Sequence, residues 1–158
     1  MDWKQVIDQH YAVAYDPADF SLAVNSPATT AQIESLEEAL GFTFPGEWHS
    51  LYKTTNGFGV VPKNDPHFAS DLFPSIDTLP TFVATARETI AQTHPEDAKQ
   101  YIPVLDFING DTIGYRADSK SDRLHMLSHE AMAYESDKDI EDVLYPIASE
   151  SLQAFLLP

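Results

Sequence analysis

A chain of 158 residues, 43% hydrophobic and 11% aromatic, has the size of one ordinary domain and enough apolar surface to bury a core, which excludes a natively disordered chain. Its 25 acidic against 9 basic side chains give a formal net charge of −16, which argues against nucleic acid or an anionic membrane surface as a direct partner and for a basic one. Cysteine is absent, so no disulfide or thiol chemistry is expected, and no apolar run reaches the roughly 20 residues that span a bilayer.

The first residues, Met1 to Gln5, include Asp2 and offer neither a basic nor an apolar leader segment, so a cytoplasmic protein is expected. Trp3, Val6, Ile7 and Tyr11 recur at helical spacing and predict an opening helix that ends before Asp16-Pro17. A loop with Pro17 and Pro27 follows. Ile33, Leu36 and Leu40 then mark an amphipathic helix, with Glu34, Glu37 and Glu38 mostly on its other faces and Gly41 as its stop. Phe42 and Phe44 cross to a second helix, where Pro45 suits an early position and Trp48, Leu51 and Tyr52 share one face. Asn56-Gly57 is read as the end of that helix and a sharp exit toward a strand.

Phe58 to Val61 leans toward a strand, and Pro62 to Pro66 reads as an exposed turn. Thr78 is placed to cap a helix through Phe82, Val83, Ala86 and Ile90 that stops near His94-Pro95. Three strands are expected at Ile102 to Phe107, Thr112 to Ala117 and Arg123 to His129, as an antiparallel meander. A last helix over Ser149 to Leu157 would bury Leu152, Phe155 and Leu156. Helices gathered at both ends of hairpin-linked strands predict an α+β fold: one domain over residues 1–158, with helices packed around an antiparallel, or mixed, β-sheet.

Catalytic patterns are sparse. There is no Gly-x-Ser-x-Gly turn, and Gly57-Phe58-Gly59 is only a fragment of a phosphate-binding loop. His125 and His129 stand four apart, yet they lack the intervening acid of a metalloprotease helix and lie in a segment read as a strand, where they would share one face. Asp111, Asp118 and Asp122 miss the spacing of a calcium loop. The expectation is therefore a non-enzyme with no catalytic residue, no metal site and no cofactor. Acidic residues concentrate in two stretches. No Lys or Arg occurs between Lys4 and Lys53, where Asp8, Asp16, Asp19, Glu34, Glu37, Glu38 and Glu47 lie; Glu135, Asp137, Asp139, Glu141 and Asp142 form a second cluster, broken only by Lys138.

The order Ile33, Leu36-Glu37, Leu40-Gly41, Phe44-Pro45, Trp48, Leu51-Tyr52, Asn56-Gly57 resembles the N-terminal signature of the Smi/Knr family, the SUKH superfamily. The tail, with Ala148, Ser151, Leu152, Phe155 and Leu156, is similar to the family's ending, so the resemblance runs from about residue 33 to residue 158. It implies a SUKH-like α+β domain. It also implies a binding protein: bacterial members are largely immunity proteins that neutralise a cognate polymorphic toxin, often a nuclease. An acidic surface suits the basic cleft of such a toxin, and Glu34, Glu38, Asp137, Asp139, Glu141 and Asp142 are the expected contacts. The alternative is an intracellular regulatory or scaffold module like the family's eukaryotic members. A carboxylate- or metal-dependent hydrolase ranks below both.

Overall fold

Asp2 starts the first helix, its Oδ1 accepting the amides of Lys4 and Gln5, and α1 (Trp3–Ala14) buries Trp3, Val6 and Ile7 as their spacing requires. The computed structural model describes residues 2–67, 70–119, 123–134 and 139–157. The chain forms two compact units, Met1–Asp77 with Ser151–Pro158, and Thr78–Glu150.

In the first unit α1 is followed by β1 (Phe20–Val24), α2 (Thr30–Leu40), α3 (Gly46–Tyr52), β2 (Phe58–Pro62) and β3 (Ser70–Phe73). The strands form an antiparallel sheet in the order β1-β2-β3. A reciprocal capping box opens α2: Gln32 N–H donates to Thr29 Oγ1, and Thr29 N–H donates to Gln32 Oε1. Gly41, in the left-handed conformation, closes it. The aromatic residues of the signature then form one buried column. Phe44 stacks on Trp48 with ring centroids 4.0 Å apart, Trp48 neighbours Tyr52 at 6.2 Å, and Tyr52 meets Phe73 of β3 at 4.8 Å. Phe73 in turn contacts Phe58 of β2 at 5.7 Å, so the column couples a helix to two strands. The Tyr52 hydroxyl donates to Pro74 O at 3.0 Å, and burial pushes its pKa up.

The second unit runs α4 (Leu79–Ala91), α5 (Pro95–Ala98), β4 (Tyr101–Asp106), β5 (Thr112–Arg116), β6 (His125–Leu127), α6 (His129–Tyr134), α7 (Ile140–Val143) and β7 (Leu144–Pro146). Its strands form a second antiparallel sheet in chain order, β4-β5-β6-β7. Ala86 and Ile90 of α4, Tyr101 of β4, Leu127 of β6, Val143 of α7 and Leu144 of β7 belong to its core. The chain returns to the first unit as α8 (Leu152–Leu156), which packs against α1 and α3.

The α+β class and the expected β4-β5-β6 meander are present, but the strands form two antiparallel sheets in place of the single sheet expected. Each sheet also holds strands that the hydrophobic pattern does not announce. β1 and β3 have five and four residues, and β1 exposes Ser21, Ala23 and Val24, so its hydrophobic alternation is faint. β7 spans three residues and ends on a proline. Helix ends differ as well. Pro45 occupies the N-cap of α3, just before its first residue, and α3 ends at Tyr52 rather than at Asn56-Gly57. Thr78 sits at the N-cap of α4 but makes no side-chain cap bond. Leu40 and Phe155, expected in the core, are only half-buried.

Asn56-Gly57 ties strands together instead of capping a helix. Asn56 N–H donates to Ser26 O, Asn56 Oδ1 accepts Ile76 N–H at 2.8 Å, and Asn25 N–H donates to Gly57 O, so the pair fastens the end of β1 and the segment after β3 to the start of β2. The buried Thr55 hydroxyl lies 2.7 Å from Gly57 O and 3.0 Å from Asn25 O. Gly57 itself has φ +93°, and a Cβ there would come within 2.8 Å of Phe73 O and Ser75 N. Gly57→Ala should therefore cost about 2–4 kcal/mol or prevent folding, whereas Gly46→Ala, in the open first turn of α3, should change stability by less than about 1 kcal/mol in urea melts. Equal stability of the two variants would contradict the tight approach at Gly57.

Candidate partner-binding surface

The acids of the signature divide into structural and exposed groups. Glu37 is half-buried at the end of α2; its Oε1 accepts Phe44 N–H at 2.6 Å and its Oε2 lies 3.1 Å from His49 Nε2. This bond to a backbone amide holds the α2–α3 connection in place, and it accounts for the carboxylate without catalysis. Glu47 caps α8 from α3, with Oε1 accepting Leu152 N–H at 2.6 Å, and Ser151 Oγ accepts Ala154 N–H. Glu34 and Glu38 hold no such position. They lie one turn apart on the exposed face of α2, opposite the buried Ile33 and Leu36.

In the second unit Asp139, Glu141 and Asp142 are exposed at the start of α7, where negative charge is favoured by the helix N-terminus. Asp137 lies outside the described residues, as do Glu135 and Lys138 of the same cluster. Glu141 also sits 3.9 Å from Arg116, which pairs more closely with Asp118 at 2.7 Å and lies 3.8 Å from Asp97. The hydrogen bond from Arg116 holds the Asp118 carboxyl below its usual range. Glu34, Glu38, Asp139 and Asp142 are exposed and form no ion pair among the described residues. The structure thus groups Glu34 with Glu38, and Asp139 with Glu141 and Asp142.

The histidines do not share a face. β6 stops at Leu127, so His129 opens α6 instead of continuing the strand. His125 Nδ1 lies 3.1 Å from Arg123 O, while His129 Nδ1 pairs with Asp111 Oδ1 at 2.8 Å and its backbone amide donates to the same oxygen. Asp111 and Asp118 are likewise engaged with separate partners, and Asp122 lies outside the described residues. Among the described residues no three His, Asp or Glu side chains are arranged to hold a metal ion.

A cleft of about 380 Å³, which no sequence motif marks, opens between α4 and the end of the second sheet. It is lined by Phe82, Ala86 and Leu127 on its apolar side and by Thr89, Asp106 and His129 on its polar side. Asp106 Oδ1 accepts Ile108 N–H at 2.7 Å, and Ile108 is half-exposed with φ +66°, a costly conformation for a β-branched residue. The His129 ring lies over Gly110, where a Cβ would fall 2.9 Å from a ring carbon. Asp106, Asp111 and His129 come from β4, the following turn and α6, and no fixed spacing announces them.

The signature helices, the aromatic column and the two antiparallel sheets make this an α+β protein. The family model for the SMI1 / KNR4 family (SUKH-1) matches residues 27–156, and the chain belongs to that family. No curated protein matches the chain. No helix among the described residues is long and apolar enough to cross a membrane.

Two histidines make stability pH-dependent. Burial lowers the pKa of His10, whose Nδ1 lies 3.1 Å from Leu156 O, and burial likewise lowers that of His125, with Arg116 and Arg123 adding to the effect. A lowered folded-state value means that the unfolded chain takes up these protons first, so stability is retained above the ordinary imidazole range and lost as the pH falls through it. Urea midpoints should fall from about pH 8 to about pH 5.5, and the decline should flatten in the His10→Gln/His125→Gln variant. An identical decline in that variant would assign the effect to other groups.

Proposed function

We propose that this protein is a non-catalytic immunity protein that binds a cognate toxin domain, one with a basic cleft such as a nuclease carries, and blocks it. The observation that carries the reading is the number of exposed carboxylates that form no ion pair among the described residues, Glu34 and Glu38 on α2 and Asp139 and Asp142 at α7 among them, in a chain of net charge −16. Membership of a family that includes immunity proteins supports it. The chemistry is substitution: a nuclease cleft places Lys and Arg where phosphates bind, and a rigid array of carboxylates can occupy those positions in place of the substrate. Long-range attraction of this kind raises association rates about 10- to 1000-fold at low salt and rejects acidic competitors.

The test is capture of partners by the tagged protein from its own cells at low and at high salt, followed by co-expression with the captured toxin. One dominant basic polypeptide with a toxic domain, lost as salt rises, is expected. Glu34→Lys/Glu38→Lys or Asp139→Lys/Asp142→Lys should weaken capture by about tenfold or more and abolish growth protection, with the melting temperature nearly unchanged for the exposed α2 pair and lowered by a few degrees for the pair at the N-terminus of α7. Unchanged capture by both variants would remove the electrostatic explanation. Recovery of several housekeeping proteins without a toxin would favour a regulatory module instead.

A further inference from the structure

We infer that the cleft between α4 and the second sheet is an anchor site for an arginine side chain of a partner protein. The inference rests on the reading of this chain as a binder of basic proteins and adds the site where one partner residue inserts. At about 380 Å³ the cleft falls in the size range of small-ligand pockets, roughly 300–1,000 Å³. Its apolar wall, Phe82, Ala86 and Leu127, can cover the aliphatic stem of a long side chain and exclude water from it. Its polar wall is rich in acceptors. Asp106 lines it with a carboxylate of which Oδ1 takes the Ile108 amide, and no basic side chain pairs with Asp106 among the described residues.

His129 completes that wall. An ionised carboxylate only accepts, so the pairing with Asp111 puts an N–H on Nδ1 of His129, and in the neutral tautomer Nε2 is then the acceptor. The Thr89 hydroxyl already donates to Thr85 O, which leaves its oxygen lone pairs available as well. Among the described residues no Lys or Arg lines the cleft. An occupant must therefore combine an apolar stem with a cation that donates in several directions. A guanidinium does so: it is planar, carries five N–H donors, pairs with a carboxylate and can lie against the Phe82 ring. An ammonium supplies only a point charge, and an acidic or purely apolar side chain leaves Asp106 uncompensated.

The site can be tested without the partner. In ¹⁵N-labelled protein, titration with N-acetyl-arginine methylamide should give saturable amide shifts at Thr89, Gly110, Thr112 and Leu127, and the uncharged citrulline analogue should bind at least about fivefold more weakly. Asp106→Asn should weaken arginine binding by a similar factor. Thr85→Trp, at an exposed α4 position on the cleft, should block it while keeping every carboxylate, which decides the matter if the Asp106 variant fails to fold. Non-saturating shifts spread over Glu34, Glu38 and Asp142, or equal shifts with citrulline, would overturn the site. Toxin capture that survives Thr85→Trp would also overturn the cleft as an anchor while leaving the immunity reading intact; arginine binding without any toxin partner would do the reverse.

Discussion

The stacked aromatic column from Phe44 through Trp48, Tyr52 and Phe73 to Phe58 is the interaction on which the first unit depends. Each ring contributes by leaving water, and each well-oriented pair adds about 0.5–1.5 kcal/mol beyond that. The column fixes the angle at which α3 meets the sheet. Everything else in the signature serves that placement. Glu37 holds the Phe44 amide, Gly57 lets β2 begin against Phe73, and Asn56 ties down Ile76. A motif that looks like a string of separate positions is one packing unit with its polar groups satisfied.

Glu37 and Glu47 are engaged by backbone amides around the column, which sets them apart from the exposed acids. Both are half-buried, whereas Glu34, Glu38, Asp139 and Asp142 are exposed and form no ion pair among the described residues. Exposed carboxylates of one sign repel each other and contribute little to stability, and the proposed immunity role gives such a surface a use. The helices matter here because they hold the charges at fixed positions, and little ordering entropy is then lost on binding.

Where the sequence carries strong periodicity, the fold is legible. The amphipathic pattern of α1, α2 and α4 and the hairpin signals of β4 and β5 locate those elements to within a few residues. The short elements are not legible: α5, α6 and α7 have four to six residues, too few to display a helical period, and β1 depends on pairing with β2 rather than on its own alternation. Gly57 stands out locally as a residue suited to positive φ, but its neighbour Phe73 lies far along the chain, and no local signal identifies that contact. The cleft is hidden for the same reason, since Phe82, Asp106 and His129 meet only after α4 packs on the sheet. The exposed acids are legible by composition alone, because charge runs on an amphipathic helix face solvent.

Association kinetics of the purified protein with the toxin domain proposed as its partner, measured across ionic strength, test the central claim most directly. Electrostatic capture predicts an association rate constant that falls by about tenfold or more between roughly 50 and 500 mM salt, with a much smaller change in dissociation. An association rate indifferent to salt would show that the exposed carboxylates do not guide binding, and would contradict that claim.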